Sequence, residues 1–247
     1  MDVVITAAAI AAAFFLGGVA KGGIGFGVPL VSLPLLAVVI DVRTALALLT
    51  FPIVFSNGWQ AWQGGAARAG RPRLRGLLVT MTLGCALGAT AIVRLDERFF
   101  FLALGLIVLG FVVTSTLMPA LRVPPRYRGP VGALAGFVAG VMGGLSTAFG
   151  PPVVMYLFAL HLRHEVFVAT IGAIYSYASL LLVASYVAVG ILTWPLAGLS
   201  LACIPPLAAG MACGAWLTRL ASQATLRRVV LIFLLLIGLN MLRRGLT

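Results

Sequence analysis

Apolar segments close to twenty residues long recur along the whole chain, separated by short polar, glycine-containing or proline-containing stretches. A helix of about 20 apolar residues crosses the hydrocarbon core of a bilayer, which is roughly 30 Å thick. The pattern predicts ten helical elements, and the second and seventh have the length of a half-helix or a re-entrant segment. The predicted elements cover residues 3–20, 28–40, 43–62, 74–93, 98–118, 130–145, 151–162, 165–190, 195–218 and 226–243.

The most distinctive stretch is residues 17–29, where the only lysine of the chain, Lys21, lies among glycines and a proline. Glycine has no Cβ to restrict its backbone and proline has no backbone N–H, so we expect no continuous helix across this stretch. Residues 136–152, about half a chain later, are also rich in glycine and end in two prolines. Interruptions at matching places in two halves point to the central site of a transporter.

The two halves of the chain align as repeats of about five elements each. Gly22-Gly23 aligns with Gly143-Gly144, and residues 84–89 align with residues 210–215. The second pair of segments has small residues four apart, a spacing that lets helix backbones approach closely. The alignment predicts an N-terminal transmembrane repeat at 1–118, a cytoplasmic connection at 119–129 and a C-terminal transmembrane repeat at 130–247.

The arginines predict the orientation of these repeats. The loop after the third element carries four arginines, whereas its counterpart in the second half, residues 190–195, carries no charge. Because cytoplasmic loops are enriched in arginine and lysine, equivalent loops are expected on opposite sides of the membrane. The sequence therefore predicts an all-α polytopic membrane protein of two inverted repeats, with five crossings in each repeat and the N-terminus outside. The four arginines are Arg68, Arg71, Arg73 and Arg75.

Composition supports the membrane interpretation and excludes other classes of function. Hydrophobic residues make up 62% of the chain, charged residues 9%, and the mean hydropathy is +1.15. The formal charge of +12 lies mainly in arginines between apolar segments, so it predicts membrane orientation and not nucleic-acid binding. The chain has no P-loop, GxSxG, HExxH or paired-carboxylate motif, and we predict neither an enzyme nor a metal site.

The broken helices predict a site for a small anion. In inverted repeats such helices meet near the bilayer midplane, and each helix beginning there offers free N–H groups and a positive dipole end. Two alternatives stay open, since the glycines could serve helix packing alone and Lys21 could be a snorkelling cation. The candidate substrate-binding residues are Lys21, Gly22, Gly23, Gly25, Gly27, Pro29, Asn57, Gly143, Gly144, Ser146, Thr147, Gly150, Pro151, Thr170 and Tyr175.

Residues 17–29, with their glycine-rich turn leading into Pro29-Leu30, resemble the opening of the TauE/SafE sulfite exporter family, and residues 136–152 resemble its second glycine-rich motif. The resemblance implies a cofactor-free exporter in a bacterial inner membrane, with sulfite or an organosulfonate such as sulfoacetate as substrate. The partners expected are that small anion and the lipid bilayer, and a homodimer is left open. We expect alternating access as the mechanism, with an anion channel and a non-transporting membrane scaffold as the alternatives.

Overall fold

The computed structural model describes residues 3–63, 74–117, 123–220 and 223–246. Within these ranges the chain is helical almost throughout and contains no strand. The helices are α1 (Val3–Ile24), α2 (Val28–Val39), α3 (Val42–Gln63), α4 (Arg75–Arg94), α5 (Glu97–Leu117), a short 3-10 helix (Pro125–Tyr127), α6 (Arg128–Ser146), α7 (Gly150–Ala159), α8 (His164–Ala188), α9 (Trp194–Ala202), α10 (Ile204–Leu220) and α11 (Gln223–Leu246).

Six segments of the described chain are long and apolar enough to cross a membrane. The chain is therefore an all-α polytopic membrane protein. Two further apolar helices are shorter, α2 with 12 residues and α7 with 10. At 1.5 Å per residue they extend over roughly 18 Å and 15 Å, about half of the hydrocarbon thickness. The six segments are Val3–Ile24, Arg75–Arg94, Pro125–Ser146, Glu165–Ala188, Trp194–Leu220 and Arg228–Leu246.

The helices lie close to the predicted elements, with two corrections. The expected interruption within residues 17–29 is confirmed at residues 25–27, but α1 continues to Ile24, four residues beyond the predicted end of the first element. The predicted ninth element is divided at Cys203 into α9 and α10. Pro205 and Pro206 follow this division, and neither has an N–H for the carbonyl four residues earlier.

The described chain forms two compact units, and each unit takes segments from both halves of the sequence. Unit 1 consists of Met1–Ile53, Leu95–Thr114 and Ile191–Thr247, and unit 2 of Val54–Arg94 and Ser115–Gly190. The loop arginines Arg68, Arg71 and Arg73 lie outside the described residues, as does Arg122 of the central connection. The predicted orientation of the repeats therefore stays a prediction.

Glycines bring α1 and α10 into contact in unit 1. A Cβ at Gly18 would collide with the Leu207 carbonyl oxygen, and one at Gly22 with the Met211 carbonyl oxygen. From the other helix, a Cβ at Gly214 would collide with the Val19 carbonyl oxygen. Since only glycine lets these backbones come so close, the contact depends on the absence of side chains.

The same construction joins α4 and α6 in unit 2. A Cβ at Gly84 would collide with the Phe137 carbonyl oxygen, and one at Gly88 with the Val141 carbonyl oxygen. On α6, Gly140 and Gly144 face the α4 backbone equally closely. Each unit thus contains one pair of long helices joined through glycines spaced four residues apart.

Candidate functional site

In unit 1 the chain breaks between α1 and α2. Gly25 and Gly27 have φ values of 83° and 118°, a left-handed region in which other residues are strained. The Gly25 N–H still bonds the Lys21 carbonyl at 2.8 Å, which closes the last turn of α1. The Val31 N–H bonds the Gly27 carbonyl at 2.9 Å, and Pro29 lies in the first turn of α2. The two glycines therefore allow one helix to end and another to begin within three residues.

Lys21 lies in the last turn of α1, and only 6% of its surface is exposed. A cation is favourable near the negative end of a helix dipole, and an ionisable residue inside a membrane protein is by default a functional candidate. Its neighbours Gly22 and Gly23 both lie against α10, next to Met211 and Gly214 respectively. Both glycines therefore pack against α10, and Lys21 is the ionisable candidate at this break.

Two polar contacts fix the short helix α2 inside unit 1. The Ser32 hydroxyl donates to the Ala13 carbonyl of α1 at 2.9 Å, beside Gly17. At the other end, an Arg244 guanidinium N–H donates to the Ala37 carbonyl at 3.3 Å, and the same group lies over the Phe101 ring. A cation at the last carbonyls of a helix satisfies an unpaired acceptor and favours the dipole.

In unit 2 the break between α6 and α7 is made by Thr147. Its φ of 61° is rare for a β-branched residue, and its N–H bonds the Gly143 carbonyl at 2.6 Å. The preceding Ser146 hydroxyl donates to the Met142 carbonyl at 2.8 Å. Because a serine hydroxyl has a single hydrogen, Ser146 has no donor left for a substrate.

The Thr147 side chain has unused hydrogen-bonding capacity. Its Oγ1 is buried, with 1% of the residue exposed, and it has no hydrogen-bond partner among the residues that the structure describes. A buried polar group without a partner costs about 1–3 kcal/mol. A strained backbone and an unsatisfied hydroxyl at the same residue are the combination expected where a ligand completes the bonding.

The start of α7 is less rich in donors than the sequence suggested. Pro151 and Pro152 occupy its first turn and carry no N–H. Of the first three residues of α7, Gly150 is therefore the one with a backbone N–H. The Tyr175 hydroxyl of α8 lies 3.0 Å from the position that a Cβ at Gly150 would take. Gly143, one turn before the break, is covered by the Phe149 ring.

The remaining candidates in unit 2 lie on α3 and α8. The Asn57 amide donates to the Tyr175 carbonyl at 3.2 Å, and the Ser176 hydroxyl donates to the Asn57 carbonyl at 3.3 Å. Asn57 thus joins two helices, and Thr170 is buried on α8. Within unit 2, Tyr175 therefore lies next to two other candidates. Its backbone carbonyl accepts from the Asn57 amide, and its hydroxyl lies beside Gly150.

Sequence reasoning missed two residues that support these breaks, Tyr186 and Arg244, and a third, Ser200, that supports α3. The Tyr186 hydroxyl donates to the Gly144 carbonyl near the end of α6 at 3.1 Å, and Arg244 binds the end of α2. Ser200 donates to the Leu48 carbonyl at 2.8 Å and accepts from the Phe51 N–H at 3.1 Å. No local motif marks Tyr186 or Arg244. For Ser200 the available signal was Pro52 inside α3, which leaves the Leu48 carbonyl without its helical donor.

Comparison with known proteins identifies the family. A family model described as sulfite exporter TauE/SafE matches residues 10–241, which is nearly the whole chain. Searches of the curated proteins and of the solved structures give no match. The helix breaks at residues 25–27 and 147–149 both fall inside the matched range. The chain belongs to the TauE/SafE sulfite exporter family.

Proposed function

We propose that the protein is a secondary transporter that exports a small sulfur oxyanion, sulfite or an organosulfonate such as sulfoacetate, across a bacterial inner membrane. The observation that carries the proposal is the buried Thr147 hydroxyl, which has no partner among the described residues and lies in the turn before α7. An oxyanion offers the strong acceptor that this hydroxyl lacks. Membership of the sulfite exporter family supports the same class of substrate.

Charge supports an anion as the substrate. Lys21 is a buried basic residue at the first break, and the helices that begin at Val28 and Gly150 direct their positive ends toward the two breaks. The inside-negative membrane potential favours expulsion of a monoanion by about 2.3 kcal/mol per 100 mV. Export of such an anion therefore needs no second ion.

The two short helices support alternating access around a central site. α2 and α7 each follow a break and each cover about half of the hydrocarbon thickness. The glycine contact of α1 with α10 has a counterpart in that of α4 with α6, as expected for two repeats. In this mechanism the repeats move about the bound anion and expose it to each side of the membrane in turn.

The test measures uptake into proteoliposomes of sulfite, sulfoacetate, thiosulfate, sulfate, taurine and chloride. We expect saturable uptake of one sulfur oxyanion that accelerates when the vesicles are preloaded with the same anion. Thr147→Val removes the hydroxyl, and the apparent KM should rise by about tenfold or more, the value of a hydrogen bond to a charged group. Thr147→Ser keeps the hydroxyl and should restore transport.

Ser146→Ala is the matched control, because the Ser146 hydroxyl donates to its own helix. It should leave the apparent KM unchanged. Conduction without acceleration by preloaded anion would identify an anion channel. No flux of any of these anions in correctly folded protein would favour a scaffold and reject the proposal, as would equal effects of the Ser146 and Thr147 changes.

A further inference from the structure

Away from the helix breaks, unit 2 has an open groove of ≈ 460 Å³ between α4 and α8. It begins at Arg75, the first residue of α4, and continues along the side of that helix. Among the described residues no acidic side chain lines it. The lining residues are Arg75, Leu78, Val79, Thr82, Leu83 and Tyr177.

The spacing of these residues makes the groove a continuous stripe. Residues 75, 79 and 83 are four apart, and residues 78 and 82 lie beside them, so all five share one face of α4. From Arg75 to Leu83 the helix rises about 12 Å. Val79 and Leu83 are exposed along this stripe. The groove therefore has a cation at one end and an apolar wall along the remainder.

The two hydroxyls inside the groove are used by the protein. Thr82 Oγ1 donates its hydrogen to the Leu78 carbonyl at 3.0 Å and lies 2.6 Å from the Tyr177 hydroxyl. With the threonine hydrogen in use, the tyrosine donates to Thr82. Neither hydroxyl has a hydrogen left for a guest molecule. The part of the groove from Leu78 to Leu83 therefore suits a hydrocarbon chain.

We propose that this groove binds an anionic phospholipid, with its phosphate on the Arg75 guanidinium and one acyl chain along Leu78, Val79 and Leu83. A guanidinium pairs with phosphate through parallel charged hydrogen bonds, and basic sites beside transmembrane helices select anionic headgroups. A positive end that no described acidic residue lines complements a net negative headgroup and disfavours a zwitterionic one, whose own cation would face Arg75. Charge and shape thus indicate the same occupant.

The test uses the intact protein in mixed nanodiscs of phosphatidylcholine and phosphatidylglycerol, followed by native mass spectrometry of retained lipid. We expect phosphatidylglycerol to be retained preferentially. Arg75→Gln should reduce that preference about fivefold, the contribution of one arginine near an anionic surface. Val79→Trp fills the groove and should remove retained lipid of both classes while leaving the charge in place.

Two matched variants on the same helix control for charge and bulk. Arg94→Gln removes an exposed arginine from the opposite end of α4, and Leu87→Trp adds bulk at an exposed position outside the groove. Neither should change lipid retention. Equal retention of both lipids by the wild-type protein, or unchanged preference in Arg75→Gln, would overturn the proposal. A dimer lost in Val79→Trp, without preferential phosphatidylglycerol retention in the wild type, would assign the groove to a second copy of the chain.

Discussion

Glycine has two separate functions in this protein, and they can be distinguished residue by residue. Gly25 and Gly27 occupy left-handed conformations at the first break, where a side chain strains the backbone. Gly18 and Gly22 lie inside the regular helix α1, where a side chain would collide with the α10 backbone. Gly22 was a candidate for binding substrate, and its contacts now predict that its replacement acts on stability first.

Gly22→Ala should lower the free energy of unfolding by about 1–3 kcal/mol, the usual cost of overpacking a close contact. The matched control is Gly58→Ala in the helix α3, where a Cβ meets no described atom within 4 Å. That change should be neutral or stabilise by up to about 1 kcal/mol, because alanine favours a helix more than glycine. Thermal unfolding in detergent measures both. An unchanged stability of Gly22→Ala would contradict the packing role.

Asp41 lies directly before α3, and we expect its carboxylate to make the fold sensitive to acid. Its Oδ1 accepts the Thr44 N–H at 2.9 Å, the bond of a helix N-cap. Partial burial acts to raise the pKa of the Asp41 carboxyl, but hydrogen bonds from the Thr44 hydroxyl and backbone hold that pKa below its ordinary value. A lowered pKa stabilises the fold above the unfolded value of about 3.9, and this contribution is lost as pH falls through the folded value.

At neutral pH, Asp41→Ala should lower the free energy of unfolding by about 1 kcal/mol, because the cap is lost. Asp41→Asn retains an acceptor and should be close to the wild type at neutral pH. Its unfolding temperature should then fall less than that of the wild type between about pH 5 and pH 3. Parallel pH curves for wild type and Asp41→Asn would show that the carboxylate contributes nothing to acid sensitivity.

At the scale of helices, Ser200 of α9 supplies a hydrogen bond that Pro52 removes from α3. Pro52 has no N–H for the Leu48 carbonyl, and that carbonyl instead accepts the Ser200 hydroxyl. The Phe51 N–H, one residue before the proline, donates to the same hydroxyl oxygen. One fully buried serine therefore satisfies the carbonyl that the proline leaves without its helical donor and also accepts from the Phe51 N–H.

Ser200→Ala should lower the free energy of unfolding by about 2 kcal/mol, since the buried Leu48 carbonyl loses its donor. In Pro52→Ala the helix regains its own N–H, and the same serine change should then cost clearly less. Unfolding of the wild type, both single variants and the double variant gives the coupling energy. If Ser200→Ala lowers the free energy of unfolding equally in the wild type and in Pro52→Ala, Ser200 does not compensate for the proline.

At the scale of the whole molecule, the apolar pattern predicted where most helices lie. α2, α3 and α4 begin and end within about two residues of the predicted bounds, because long apolar segments and their turn residues act locally. The predicted end of the first element at residue 20 was four residues too early, because helix propensity alone was considered. Glycine costs a helix about 1 kcal/mol per residue, but contact of Gly18 and Gly22 with α10 outweighs that cost.

The sequence predicted the helix break of the candidate site, but not the hydrogen bonding of its side chains. Gly27 and Pro29 mark the first break in the sequence, and the break occurs there. The difference between Ser146 and Thr147 could not be read from residue types, because it depends on which hydroxyl turns back onto its helix. Ser200 meets Phe51 across 149 residues of sequence, a pairing that only the fold determines.

The predicted inversion of the two repeats can be tested at the ends of α4 and α10. These helices occupy equivalent places in the repeat alignment, each joined through glycines to the first long helix of the other repeat. Arg94 and Arg219 are exposed at their C-terminal ends. If the repeats are inverted, the two positions lie on opposite sides of the membrane, with Arg219 on the cytoplasmic side because its surroundings are rich in arginine.

We therefore expect opposite accessibility of Arg94→Cys and Arg219→Cys in a background without Cys85, Cys203 and Cys213. An impermeant maleimide applied to intact cells should label the variant at position 94. The variant at position 219 should react only after the membrane is permeabilised. Retained sulfur-anion transport by both variants would show that the labelled proteins are correctly folded. Labelling of both from the same side would mean that the repeats are parallel, and the alternating-access mechanism would then need a different symmetry.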